Sequence, residues 1–548
     1  MAAQGDEEGM MLNLYALEQQ IESEMQDTHV PGLAIAILQD RELIYCRGFG
    51  VTSVEDGGLP VTPLTLFRIG SVTKSMTATA VMRLVELGLI ELDRPISEYA
   101  PWLTFSEKGA AQRITLRMLL SHSAGLPTSH TPFGRREAEG LEAYVRQDVP
   151  DYRFIAPPGL LYSYSNPGIR IAGYLAQSVS GRPYTALMQD LVFDPLEMQR
   201  TTFDPTVAMT YPLAQSHDLD DDGHLTVRHH YADDTGGYPS GSAISTVLDL
   251  THFAIMQMNH GRFRDRQVLT PESVAEMHRI QAITYTSRGS GYGLALNVDV
   301  YKGIERLWHE GSISNFGARL VMMPESGTAV ALLFNRAPGF WAKAEAITDG
   351  VVDQLLGLPD RETQPEGITP DRSLWPSFAG SYLGDWRGLA TVAATEDQLT
   401  LNWNGELLPL NALGAYLYTG QKHESGEKVS VGFVREPKRP VQYILVNGSP
   451  CERFKPEPVR VPEPDAWKAF AGRYSGVEKI VVRLQDDQLF VYSEDVDKEL
   501  ACIPLGNARF ACDVGLVEFD FTPDSTAPSL RFGKVYTLHQ VSPSRSRQ

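Results

Sequence analysis

Cysteine is scarce in this chain of 548 residues: Cys46, Cys451, Cys502 and Cys512 are the four that occur. They are too few and too scattered for a disulfide framework or a zinc site with paired ligands, so neither a metal nor a cofactor is expected. Positive charge is also in deficit. Lys and Arg number 48 against 68 Asp and Glu, a formal net charge of −20 that repels phosphate backbones and anionic lipid, so nucleic acid and membrane are not expected partners. No run approaches the about 20 apolar residues that a bilayer-crossing helix needs. The opening MAAQGDEEGM is acidic and leads into no apolar stretch; no secretory signal is read, and a cytoplasmic location is expected. What is present is ordinary globular composition, 43% hydrophobic and 21% charged with 47 Gly and 35 Pro, in a chain long enough for about two to four cores.

Hydrophobic patterning divides the chain. NLYALEQQIESEM near the start has helical spacing, and LAIAILQD and ELIYCRGFGV flank Asp40 and Arg41 as a β-hairpin over 33–51. Two further β-rich runs, 317–323 and 328–335, lie on either side of PESG, and a helix over 342–356 follows. Early strands, a helical middle and late strands predict an antiparallel sheet built from both ends, flanked by helices, with a helical subdomain inserted: an α/β (α+β) arrangement over 1–358. A proline-bearing polar stretch, 359–372, reads as a linker. Beyond it Trp375, Phe378, Ala379, Gly380 and Tyr382 return as Trp467, Phe470, Ala471, Gly472 and Tyr474, each 92 residues on. Each copy leads into short alternating strands, which predicts two all-β antiparallel barrel or sandwich domains at 373–456 and 465–548, joined by a second linker at 457–464.

Three short segments carry candidate chemistry. In FRIGSVTKSMTATAVMRLVELG, Val72, Met76, Ala80 and Leu84 form a helical stripe, so Ser71 and Lys74 stand three apart on one face at a helix start. The ammonium reaches the hydroxyl without tertiary assumptions, and the Ser71 amide becomes an oxyanion donor. Taken alone the pattern is weak, because a serine near a helix start ordinarily caps it. In PGLLYSYSNPG, Tyr164 and Asn166 face one side if the segment is extended; in isolation a tyrosine packed beneath a loop is the commoner arrangement. In LWHEGSISNF, His309 and Gly311 lead into the late strand. Glycine admits a close backbone approach, so the Ser312 amide can complete an oxyanion hole.

Together the segments resemble the serine β-lactamase-like and penicillin-binding-protein superfamily, whose set is SxxK, then YxN, then KTG or its HxG variant. LLSHSAGLP, FDPLEM and GYGLALN extend the likeness across roughly 15–358. The YxN and HxG variants resemble the class C-like branch, which includes D-aminopeptidases, D-amino-acid amidases, esterases and acyltransferases. A catalytic domain followed by two lipocalin-like barrels is similar to the D-aminopeptidase architecture. The resemblance implies that Ser71 attacks and is acylated, that Lys74 and Tyr164 share the proton work, and that the Ser71 and Ser312 amides bind the oxyanion. Asn166, His309 and Gly311 would line the substrate site. Lysine is needed because a tyrosine of pKa about 10 is ionised roughly once in a thousand at pH 7, a deficit of about 4 kcal/mol. Either the ammonium lowers the phenol or burial turns the lysine into the base; the sequence leaves both open. One departure stands out: Ile313, Ser314, Asn315 and Phe316 replace the Pro-Gly-Phe turn that often follows HxG.

Other features have plainer readings. Asp218, Asp220, Asp222 and Gly223 begin like a calcium loop but meet His229 where a bidentate Glu is required, so a hairpin turn is expected. Adjacent His229 and His230 cannot share a ligand set on one strand face. The repeated Trp and Phe are expected to pack on their barrels. The leading expectation is a serine hydrolase of small amides or peptides, D-aminoacyl compounds among them, with accompanying esterase activity. An acyltransferase or peptide cyclase and a non-catalytic binding protein are the alternatives, and homo-oligomerisation is left open.

Overall fold

The computed structural model describes residues 12–128, 134–359, 368–384, 388–403, 405–423, 425–435, 440–454, 464–475, 479–485, 488–493, 498–504, 508–512, 515–520, 529–532 and 536–540. Helix α1, Leu14–Asp27, begins where the Asn13 side chain accepts the Ala16 N–H, and it buries Leu17, Ile21 and Met25, four residues apart. Strands β1, Gly32–Gln39, and β2, Glu42–Gly50, form the expected hairpin. Its turn residues Asp40 and Arg41 take φ of 51° and 66°, the left-handed pair that matches strand twist. Then come the helices α2, Thr73–Glu86, α3, Asn166–Ser180, and α4, Val247–Met258. Six further strands follow: β3, Ala282–Ile283; β4, Gly291–Tyr292; β5, Asn297–Tyr301; β6, Ile304–Ile313; β7, Phe316–Met323; and β8, Thr328–Phe334. Helix α5, Trp341–Leu356, closes the block.

The sheet runs β2-β1-β8-β7-β6-β5-β4-β3 and its pairings are antiparallel, so the first and last strands of the block lie side by side with Leu33 opposite Phe334. Side-chain size sorts the two faces of its centre. Leu33, Ile35 and Ile37 of β1 join Val330, Leu332 and Phe334 of β8 under α1 and α5, while Ala34 and Ala36 join Ala329 and Ala331 on the side of α2 and α4. Bulky residues meet the two terminal helices, and alanines let the inserted helical layer approach closely. The segment around Asp218 is a hairpin, His217–Leu219 with Leu225–Val227.

Beyond the sheet the structure has two closed eight-stranded barrels, from Gly380–Gly384 to Ser449–Phe454 and from Gly472–Ser475 to Tyr536–Gln540. The repeated motif packs into the core of each barrel. Phe378 stacks on Phe433 at 3.9 Å and Phe470 on Phe519 at 4.2 Å, while the Tyr382 and Tyr474 hydroxyls donate to the Phe378 and Phe470 carbonyls at 2.6 and 2.8 Å. Trp375 and Trp467 are buried with them. Most of the two expected linkers, 360–367 and 457–463, falls outside the described residues.

The first barrel is packed onto the block of sheet and helices. Its strand Tyr443–Val446 is buried on both faces: Ile444 and Val446 point into the barrel, whereas Tyr443 and Leu445 join Val434 against Ala156, Leu161, Tyr162, Ala282 and Tyr292. Arg288 reinforces the contact by donating from Nε to the Leu413 carbonyl at 2.5 Å. Leu445 is fully buried there. Leu445→Ala is therefore expected to cost about 2–5 kcal/mol, read as a lowered midpoint in denaturant titration of the full chain.

Candidate active site

Ser71 lies in a 3-10 turn, Gly70–Val72, that runs directly into α2. Gly70 has φ of +50°, a conformation that favours glycine, and the Thr73 hydroxyl ties the turn by donating to the Gly70 carbonyl at 2.7 Å. Val72, Met76, Ala80 and Leu84 are all buried as their spacing predicts, which fixes the rotation of α2 and points Lys74 inward.

Lys74 has no exposed surface. Its Nζ is hydrogen-bonded to Ser71 Oγ at 2.8 Å and to the Ser240 carbonyl at 2.5 Å, and it sits 4.9 Å from the Tyr164 ring centroid. The Tyr164 hydroxyl faces the same serine, whose side chain favours its ionised form. SxxK and YxN, some ninety residues apart in sequence, therefore meet at one serine. Burial, and after it the charge of Arg170, holds the Lys74 amine well below the ordinary lysine range. Burial likewise raises the Tyr164 phenol, which the Ser71 side chain only partly offsets. Both shifts favour the neutral forms. Of the two bases the sequence leaves open, the arrangement suits a neutral amine accepting the Ser71 proton, with the phenol acting as an O–H donor.

Strand β6 lies against the Ser71 turn. A methyl on Gly311 would fall 1.9 Å from the Ile69 carbonyl oxygen and 2.8 Å from the Ser71 amide nitrogen, and one on Gly70 would fall 2.5 Å from the Ser312 amide nitrogen. Only two glycines permit this approach, and it brings the Ser71 and Ser312 amides to adjoining positions. The β6–β7 turn that departs from Pro-Gly-Phe is a tight two-residue hairpin, with Ser314 and Asn315 at φ of 46° and 65° and Ile313 opposite Phe316. Asn315 Nδ2 donates to the His217 carbonyl at 3.0 Å, anchoring this wall.

Two candidates occupy places that differ from the sequence expectation. His309 does not precede a strand; it lies inside β6 and is 3% exposed. Its Nδ1 donates to the Glu310 carbonyl at 2.6 Å, which leaves Nε2 to accept from the Tyr292 hydroxyl at 2.8 Å. Burial, helped by the Lys74 charge, pushes its pKa down to about 3, so the ring is neutral and fixed behind the wall. Asn166 is not on an extended segment: it is the first residue of α3, because Ser165 caps that helix by accepting the Gly168 N–H at 3.1 Å, and Pro167 fits a first turn.

Several residues that build the site carried no assigned role in the sequence. His122 accepts the Ser165 N–H at Nδ1, 3.1 Å away, and its ring lies 4.3 Å from that of Tyr164 and 4.7 Å from that of Tyr292. His122 and Tyr292 stand in LLSHSAGLP and GYGLALN, segments whose resemblance is visible while their contacts are not. Ser240 and Arg170 gave no signal at all. The Arg170 side chain is buried with its Nε donating to Ser240 Oγ at 2.9 Å.

The profile of the family described as Beta-lactamase matches residues 17–351. The chain belongs to this family. Among curated relatives, the unguisins hydrolase ungD' of Aspergillus campestris is 27% identical over 350 residues, 61% of this chain and 64% of that protein. Penicillin-binding protein 4 of Amycolatopsis lactamdurans is 28% identical over 372 residues, 65% of this chain and 93% of that protein. The chain thus spans under two thirds of the hydrolase's length. Among solved structures, SurE superposes with a TM-score of 0.62 at 25% identity, covering 80% of this chain and 98% of SurE. The octameric penicillin-binding protein homologue of Pyrococcus abyssi gives 0.57 at 25%, covering 80% of this chain and all of that one. The family is one of β-lactamase-fold serine hydrolases. No helix among the described residues is long and apolar enough to cross a membrane.

Proposed function

We propose that this chain is a serine hydrolase that forms an acyl-enzyme on Ser71 and cleaves small amides or peptides, D-aminoacyl compounds among them, with esterase activity alongside. The observation that carries the reading is the bonding of Ser71 Oγ to the buried Lys74 amine at 2.8 Å, with the Tyr164 ring 4.9 Å from that amine and its hydroxyl facing the same serine. Lys74 takes the serine proton as Oγ attacks the carbonyl, and the charge that develops on the carbonyl oxygen is met by the Ser71 and Ser312 amides. The proton returns within the same hydrogen-bonded set to the leaving nitrogen, and water then releases the acyl group. Asn166 and Gly311 border the site where substrate enters, and His309 holds its rear wall. The D-configuration is the variable of interest because the neighbouring fold SurE has been solved with D-Leu.

Intact-mass analysis after treatment with a fluorophosphonate or a β-lactam is expected to show a single adduct that maps to Ser71 and is missing from Ser71→Ala. Labelling elsewhere, or none, removes the proposal. A panel of D- and L-aminoacyl p-nitroanilides beside short-chain p-nitrophenyl esters then reads the stereochemical preference. Equal turnover of the two series would confine the reading to an unselective esterase or amidase.

A further inference from the structure

Behind Lys74 lies a polar assembly that the catalytic set does not use. Arg170 projects from the second turn of α3, 7% exposed, with its guanidinium over the Tyr144 ring at 4.8 Å. Its Nε donates to Ser240 Oγ at 2.9 Å, and that hydroxyl donates to the Gly237 carbonyl at 3.1 Å. The Ser240 carbonyl in turn is the group that holds Lys74 Nζ. Asp234, 2% exposed, faces the guanidinium but stands off at 4.0 Å from Nη1. The fit is close: a methyl on Gly237 would lie 3.3 Å from Arg170 Nη2 and 3.4 Å from Asp234 Oδ2.

We propose that Arg170 is a positioning residue for Lys74: through Ser240 it sets the carbonyl that aims the amine at Ser71, and it stands behind that amine as an incompletely neutralised charge. The proposal rests on the reading of Lys74 as the base for Ser71. Two physical points support it. A carboxylate in contact would cancel the guanidinium, whereas one at 4.0 Å in a buried site leaves part of its field to act on its neighbours. The other ionisable groups facing Lys74 are Tyr164, His122 and His309, and burial drives each toward its neutral form. Arg170 is therefore the fixed charge of this surrounding set, and the Lys74 amine is shifted down by it after burial itself.

The test is the pH profile of Ser71 acylation, followed by burst release of p-nitrophenol from an ester, in wild type, Arg170→Met, Arg170→Lys and Asp234→Asn. Arg170→Met is expected to move the acid limb up by about one unit, read as about tenfold slower acylation on its acid side. Arg170→Lys keeps the charge and loses the geometry, so its limb stays in place while the plateau falls. Asp234→Asn, which is nearly isosteric, removes the counter-charge and is expected to move the limb down. A merely structural role lowers the plateau in all three and shifts no midpoint, and that result would overturn the assignment even if Arg170→Met does not fold, because Asp234→Asn reads the same field. Lys74→Met serves as the reference. If it acylates normally, the Lys74 reading fails and carries this proposal with it; if it is inactive but no limb moves, the Arg170 assignment alone falls.

Discussion

Lys74→Met is expected to lower the rate of Ser71 acylation by about 10²- to 10⁴-fold, the usual contribution of a positioned general base, while leaving the fold intact or more stable. The two effects share one cause. An amine with no exposed surface has traded hydration for one carbonyl and one hydroxyl, and burial holds it well below the ordinary value of 10.5. Between that depressed value and 10.5 the unfolded chain binds a proton that the folded chain does not. Protons bound by the unfolded state make stability rise with pH, so at neutral pH Lys74 opposes folding, and the opposition fades as pH climbs toward 10.5. Methionine has similar length and no charge to desolvate. Thermal denaturation should therefore show the variant melting above wild type at pH 7, with the gap narrowing by pH 10. In activity the sign is reversed: below the Lys74 midpoint the amine is protonated and cannot accept the serine proton, so wild-type acylation rises with pH and then levels. A variant that keeps wild-type burst kinetics would show that Lys74 is not the base.

The same burial explains what could be read from the chain and what could not. The hairpin over 33–51 and the runs 317–323 and 328–335 were legible because each is a short apolar segment bounded by turn residues, and the structure pairs them as neighbours in one sheet. The repeated Trp, Phe and Tyr were legible because the two barrel cores reuse the same contacts, down to the Tyr382 and Tyr474 bonds to a carbonyl four residues back. SxxK was legible because residues three apart on a helix must meet. The environment of Lys74 was not. Ser240 acts through its backbone carbonyl, which any residue possesses, and Arg170 acts across 70 residues of sequence. The docking of the first barrel did leave a trace: YILV at 443–446 lacks the polar alternation of a strand with one wet face, which marks a strand covered on both sides. His309 was misplaced for a related reason. Its strand, IERLWHEGSI, sets charged and apolar residues in pairs, without the period-two alternation that marks a strand, and reads as a lead-in segment until β5 and β7 are seen to flank it.

Gly311→Ala is expected to reduce turnover by about 10²- to 10³-fold, the effect of losing one oxyanion donor, while substrate affinity changes far less. The added methyl would sit 1.9 Å from the Ile69 carbonyl oxygen and 2.8 Å from the Ser71 amide nitrogen. Both neighbours are backbone of the turn that presents Ser71, so no side chain can swing aside. Strand β6 has to retreat, and Ser312, the next residue along it, retreats too. Its amide leaves the position where charge develops, while the Lys74 bond to Ser71 Oγ, made by a side chain of α2 and not of β6, stays in place. Acylation should accordingly fail at the step that forms the tetrahedral intermediate, with the acid limb of the pH profile unmoved because the base is untouched. That combination separates this variant from Lys74→Met, which loses the base and keeps both amides. Steady-state kinetics on an ester, with circular dichroism to confirm the sheet, make the measurement. A variant with normal kcat would show that the Ser312 amide plays no part in stabilising the transition state.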